Sequence, residues 1–326
     1  ITAGVTSTSN VGDYDVTLTN VKGANYYTIT LANSGASGLT VDDLYTVTNA
    51  TITDVSVTPT TGLVYNGADQ FSGAFTESAT TVNNMEQKWT FSLTQDGTYS
   101  ETLTLKDAGT YTIYYKITAD NHNEYSSGSD YFTVVIGKAD LTVTVTGTTT
   151  YGEDAPANSE YKIEAEGLQG EDSASTLLIA GTTFTISHSY VKGSDAGTYY
   201  LTVTQAQELT NYNVAYVSGQ GSASTLTVNQ REITLRINDV SVDFGTPGTL
   251  SLTLTEGSFY NSHSTNDFLG YIAVYSDTEG NTSVTADGTL ERGTYYIVGK
   301  DTNTGIAANY DITFVGETSG NVYGIY

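Results

Sequence analysis

The chain has 326 residues, no cysteine, and 11 basic against 36 acidic residues, a net charge of −25. That balance excludes nucleic-acid phosphate as a partner and disfavours anionic membrane surfaces, because both need clustered cations. The absence of cysteine excludes disulfides, thiolate nucleophiles and cysteine-based metal sites. Threonine, serine, tyrosine and glycine abound and helix-favouring runs are missing, a composition of strands joined by turns. Apolar runs are only strand-length, so no stretch reads as inserting into a membrane.

Residues 1–50 read as the C-terminal half of a repeat. Gly12-Asp13-Tyr14-Asp15-Val16 is followed by Asn25-Tyr26-Tyr27-Thr28-Ile29, without an opening strand. Strands at Asp15 to Thr19 and Tyr26 to Leu31 would leave an open edge and an apolar face. The expectation is a truncated unit, with completion by strands of a neighbouring copy and a simply divergent unit as the alternatives.

Residues 51–137 form the first complete unit. An alternating run from Ile52 to Val57 leads to Tyr65-Asn66-Gly67. Lys88-Trp89-Thr90-Phe91-Ser92-Leu93 is its middle strand, with Trp89, Phe91 and Leu93 expected on one core-facing side. Ala108-Gly109-Thr110-Tyr111 and Asn121 to Tyr125 follow, and Tyr131 to Ile136 closes the unit.

The second unit, 138–230, runs from Leu141–Val145 to Tyr151-Gly152-Glu153. It continues through Asp195-Ala196-Gly197-Thr198-Tyr199 to Asn211-Tyr212-Asn213-Val214. Glu171 to Leu178 admits one helical turn. The third unit, 231–326, carries Phe244-Gly245 where the others have tyrosine. It then reads Phe268 to Tyr275 as strand, Gly293-Thr294-Tyr295, and Asn309-Tyr310-Asp311-Ile312.

The recurrence is close to periodic. The Gly-x-Tyr tyrosines sit at 14, 111, 199 and 295, spaced by 97, 88 and 96. Each complete unit opens on an aromatic residue 46, 48 or 51 positions earlier. Two markers holding their separation argue for a repeated β-domain. The glycine suits a tight turn. The tyrosine at a strand start should find a backbone partner for its hydroxyl, and Tyr65, Tyr111, Trp89, Tyr151, Tyr199 and Tyr295 are expected to be mostly buried. The spacing to Asn-Tyr suits a hairpin partner for the Gly-Thr-Tyr strand.

Tyr151-Gly152-Glu153, Gly167-Leu168-Gln169-Gly170-Glu171-Asp172, Ala196 to Tyr199 and Asn211 to Val214 together resemble the MBG domain of the YGX type. This is a bacterial immunoglobulin-like repeat of large surface and adhesin proteins. Residues 231–326 resemble it as a divergent member, and 51–137 as a related module. The resemblance implies an extracellular, cell-surface context, and supplies no catalytic residues. The expected fold is all-β, tandem immunoglobulin-like antiparallel β-sandwiches in an elongated array. Short junctions at Gly137 to Asp140 and Asn229 to Glu232 argue against free swivelling.

Chemistry is sparse. His122, His188 and His263 lie about one domain apart and read as loop residues without metal-ligand spacing. No nucleophile or phosphate-loop motif occurs, so no enzyme is expected. Asp140, Glu171 and Asp172 are the candidates for calcium, a hard cation that takes oxygen ligands. Lys116 and Lys162 are the lysines placed for an isopeptide crosslink, but each faces away from its apolar neighbours, so exposure is expected. The aromatic loop Phe259, Tyr260 and His263 is the candidate for binding a glycan or host protein. The leading functional expectation is a stalk or adhesin repeat presenting a binding tip. Alternatives are a filament subunit completed by a neighbouring copy, and a binding module in 231–326.

Overall fold

The computed structural model describes residues 12–17, 40–300, 303–317 and 323–326. The Asn25 to Ile29 strand, the Asp15 to Thr19 strand beyond Thr17, and Val322 at the closing strand lie outside them. The described chain is all-β apart from single helical turns such as Ala174–Leu177. It divides into two compact units.

The first unit holds residues 1–139 with 169–171 and 210–212. Gly12–Thr17 pairs antiparallel with Thr40–Val47, and Thr53–Pro59 pairs antiparallel with Phe75–Thr80. Gly109–Thr118 lies between Lys88–Ser92 and Phe132–Gly137, antiparallel to both. Its alternation buries Ile113 and Ile117, and Phe91, Leu105, Val134 and Ile136 are buried in the same unit.

In the second unit, strand Ala139–Thr150 buries Leu141, Val143 and Val145 on alternate positions. Its first half pairs antiparallel with Lys162–Glu166 and also pairs with Tyr212–Tyr216. Its second half, Thr146 to Thr150, runs parallel to the closing strand Thr225–Asn229. That closing strand pairs antiparallel with Gly197–Tyr200. By hydrogen bonding these strands form a single five-stranded sheet, with Ala139–Thr150 as its shared member. Residues 231–326 repeat the first sheet: Arg231–Ile237 pairs antiparallel with Leu252–Gly257 and parallel with Tyr310–Gly316. Tyr296–Gly299 lies between Ile272–Tyr275 and Tyr323–Ile325 in the other sheet.

Several local expectations are corrected. Pairing is mixed rather than wholly antiparallel: Leu63–Val64, Thr146 to Thr150 and Arg231–Ile237 each have a parallel neighbour late in their repeat. The Asn-Tyr strand is a true hairpin partner only in 51–137, where Tyr125–Ser126 pairs with the Gly109–Thr118 strand. In the later repeats it crosses over to join the opening strand. Phe268 is fully buried in the helical segment Thr265–Tyr271, with the strand confined to Ile272–Tyr275. Trp89 is only half-buried, stacked on Phe91 and tilted on Tyr115, while Leu93 is exposed. The core position falls to Phe91, which contacts the Phe71 and Phe75 rings.

Candidate functional site

The repeated markers converge on a joint that the fold builds twice. Each joint has a socket made by the opening aromatic and the Asp-Ala turn. Into it goes an Asn-Tyr pair from the following stretch of sequence.

In the second unit the socket is Tyr151 and Asp195-Ala196, and the insert is Asn309-Tyr310. The Ala196 amide donates to Asn309 Oδ1 at 2.6 Å, and Asn309 Nδ2 donates to Asp195 Oδ1 at 2.8 Å. The Tyr310 ring meets Tyr151 edge-on, with centroids 5.5 Å apart and an interplanar angle of 74°. The Tyr260 amide donates to the Tyr310 hydroxyl at 3.0 Å. Asn309 is 5% and Tyr310 1% exposed, so the carboxamide is buried, while its partner Asp195 stays exposed.

In the first unit the same atoms do the same work. The Ala108 amide donates to Asn211 Oδ1 at 2.8 Å, and Asn211 Nδ2 donates to Asp107 Oδ1 at 3.0 Å. Tyr65 and Tyr212 pack edge-on at 5.5 Å and 80°. The Gln169 amide donates to the Tyr212 hydroxyl at 2.8 Å.

Close backbone approach explains the glycine after the aromatic. Gly67 has φ +77°, and a Cβ there would lie 2.7 Å from Gly170 Cα. Gly152 has φ +83°, and its Cβ would lie 2.4 Å from the Tyr260 ring. Gln169-Gly170 and Tyr260 therefore hold corresponding places.

The turn carrying the acid is itself clamped by the repeat's tyrosine. Tyr111 donates to the Asp107 carbonyl at 2.9 Å, Tyr199 to Asp195 at 2.7 Å and Tyr295 to Glu291 at 3.1 Å. A hydroxyl four residues downstream thus fixes the acid, as expected of a tyrosine with a backbone partner. These three tyrosines are half-buried rather than core, because their rings lie along the turn they brace. Tyr65 and Tyr151 are the buried pair, at 3% and 5% exposure.

Arg231 adds to the second joint. Its Nε donates to the Tyr151 carbonyl at 2.9 Å, a terminal nitrogen donates to Ser258 Oγ at 3.1 Å, and it pairs with Glu153. Burial first, and then the Tyr310 phenol, push the Tyr151 phenol above its ordinary range. Burial does the same to Tyr310.

The binding-loop candidates lie inside this joint. The Tyr260 ring packs on Tyr151 at 5.4 Å. His263 stacks on Tyr151, with Nδ1 2.7 Å from the Tyr310 hydroxyl, and Phe259 stacks on Phe268 at 5.3 Å. These side chains pack within the unit and remain partly exposed.

No three acidic or histidine side chains converge among the described residues, Asp140, Glu171 and Asp172 included. Asp140 instead accepts a 3.4 Å hydrogen bond from Asn213. His122 lies in the connection after Thr118 but not at the surface: it is 9% exposed, accepts the Val82 amide at Nε2 and contacts the Asp120 carbonyl through Nδ1. Lys162 is exposed beside Glu164, and Lys116 pairs with Glu124. The role of the Asn side chain escaped sequence reasoning. The only signal was that Asn precedes Tyr at each of these places.

No curated protein sequence matches the chain. Among solved structures it is similar to the Bacillus anthracis TIE protein, at 10% identity and a TM-score of 0.21, with 76% of this chain and 52% of that one covered. The chain therefore spans about half the length of that structure, and the score is too low to establish a shared fold. Residues 141–220, which contain the Tyr151 socket, its Asp-Ala turn and the Asn211-Tyr212 insert, match the family model described as MBG domain (YGX type), and that stretch is identified as such a domain.

Proposed function

We propose that this chain is a structural repeat region of a bacterial cell-surface protein, a stalk that extends or presents a binding tip. The observation that carries this reading is the joint built twice from residues at the same repeat positions. Repetition of a docking device, with fold-determining residues and no convergent catalytic cluster among the described residues, is the economy of a repeat array. The MBG match over residues 141–220 supports a surface context. The net charge of −25 suits a solvated chain that repels its neighbours.

The test is location. Antibodies raised against residues 138–326 should label intact producing cells, and external protease should remove that label. Labelling that appears only after lysis would refute the proposal.

A further inference from the structure

Residues 231–326 supply an insert to the joint in their own unit, and they also carry a third socket. Phe244 stands where Tyr65 and Tyr151 stand, followed by Gly245 with φ +89°, in line with +77° at Gly67 and +83° at Gly152. Glu291-Arg292 stands where Asp107-Ala108 and Asp195-Ala196 stand, four residues before the clamping tyrosine Tyr295. Between them lies an open groove of about 560 Å³, floored by Phe244, Gly245, Glu291, Arg292 and Tyr326. Tyr65 and Tyr151 are covered by an inserted tyrosine, whereas Phe244 is 80% exposed. A phenyl ring this exposed beside a groove marks an interaction surface. A Cβ on Gly245 would meet nothing within 4 Å, so the space occupied by Gly170 or Tyr260 in the other joints is open here.

We infer that this groove is a docking site for a further β-module of the same repeat class, joined in line after the closing strand. That module would present an Asn-Tyr pair. Its asparagine Oδ1 would accept the Arg292 amide, its Nδ2 would donate to the Glu291 carboxylate, and its tyrosine would cover Phe244 edge-on. The in-line source follows from the established joint of the second unit. There the closing strand Thr225–Asn229 passes through the single residue Gln230 into Arg231–Ile237, the strand that pairs with Tyr310–Gly316. The inference rests on this geometry and stands apart from the surface location proposed above.

The test extends the full chain. Tyr326 lies opposite Tyr295, as Leu226 lies opposite Tyr199 and Val134 opposite Tyr111. A copy of residues 135–230, or independently of 227–326, can therefore be appended after Tyr326 in register. Amide hydrogen exchange at Arg292 should slow at least about tenfold in the extended chain relative to the parent. The slowing should vanish when Phe244→Ser is introduced, or when the asparagine and tyrosine of the appended copy's insert are both replaced by alanine. Unchanged Arg292 exchange in both extended chains overturns the inference. So does sedimentation showing that the unextended chain dimerises and loses the dimer in Phe244→Ser, which would give the groove to a second copy.

Discussion

Asn309 offers the sharpest test of the joint. In Asn309→Ala the Ala196 amide loses its 2.6 Å acceptor and the Asp195 carboxylate loses its 2.8 Å donor. The second bond is charge-assisted, and both partners sit beside a residue that is 5% exposed. A neutral bond contributes about 1 kcal/mol and one to a charged group about 1.5–3 kcal/mol, while Asp195 recovers part of its loss from solvent. The expected cost is about 2–3 kcal/mol. At about 1.4 kcal/mol per decade, that is a roughly 30- to 140-fold faster exchange of the Ala196 amide. Asn309→Asp should cost more than alanine, because it removes the donor and sets a second carboxylate against Asp195. A double-mutant cycle with Asp195→Ala should return a coupling of about 1 kcal/mol. An alanine cost below about 0.5 kcal/mol, with Ala196 protection intact, would show that the carboxamide is incidental.

Three further outcomes follow from the geometry. Gly152→Ala should destabilise by about 2 kcal/mol, and Gly245→Ala by only about 1 kcal/mol, because both have positive φ but only Gly152 has a ring in the way; equal costs in denaturant melts would show that Tyr260 yields freely. Phe91→Ala should cost about 3–5 kcal/mol and Trp89→Ala about 2 kcal/mol, since Phe91 is 3% exposed and Trp89 is half-buried; the reverse order would put the tryptophan back in the core. Burial, and then the Tyr125 phenol, push the Tyr115 phenol from 10.0 up to about 12. The native state therefore binds that proton more tightly, so its contribution is complete below pH 10 and is lost as pH rises from 10 toward 12. Denaturant midpoints should fall over that window and fall less in Tyr115→Phe; an identical fall in the variant would refute the assignment.

The β character and the repeat were legible because alternation and turn glycines are local signals, and Ile113, Val143 and Leu235 are buried as alternation requires. The tyrosine-to-backbone clamp was legible for the same reason, since both partners lie within five residues of chain. The joint was not. When every repeat carries both socket and insert, a contact within a repeat and a contact with the next leave the same spacing in the sequence. The short distance from Tyr199 to Tyr212 favoured a hairpin, but Tyr212–Tyr216 pairs with the opening strand Ala139–Thr150 instead. The place of Tyr260 was hidden for a related reason: its bulk stands where the other joint has the close glycine contact made at Gly170.

The parallel pairing of Thr146–Thr150 with Thr225–Asn229 has a mechanical consequence. One strand opens its repeat and the other closes it, and the latter passes through Gln230 alone into Arg231–Ile237. Tension applied along the polypeptide reaches these two strands from opposite directions, and each is drawn along its own axis. Their hydrogen bonds lie across that axis, so the ladder is loaded in shear and its rungs share the force, where a hairpin would surrender them one at a time from the end. With a single linking residue, almost no slack can be drawn out before the clamp takes the load. A repeat connected this way resists pulling through the direction of its strands, before any contribution from the depth of its core.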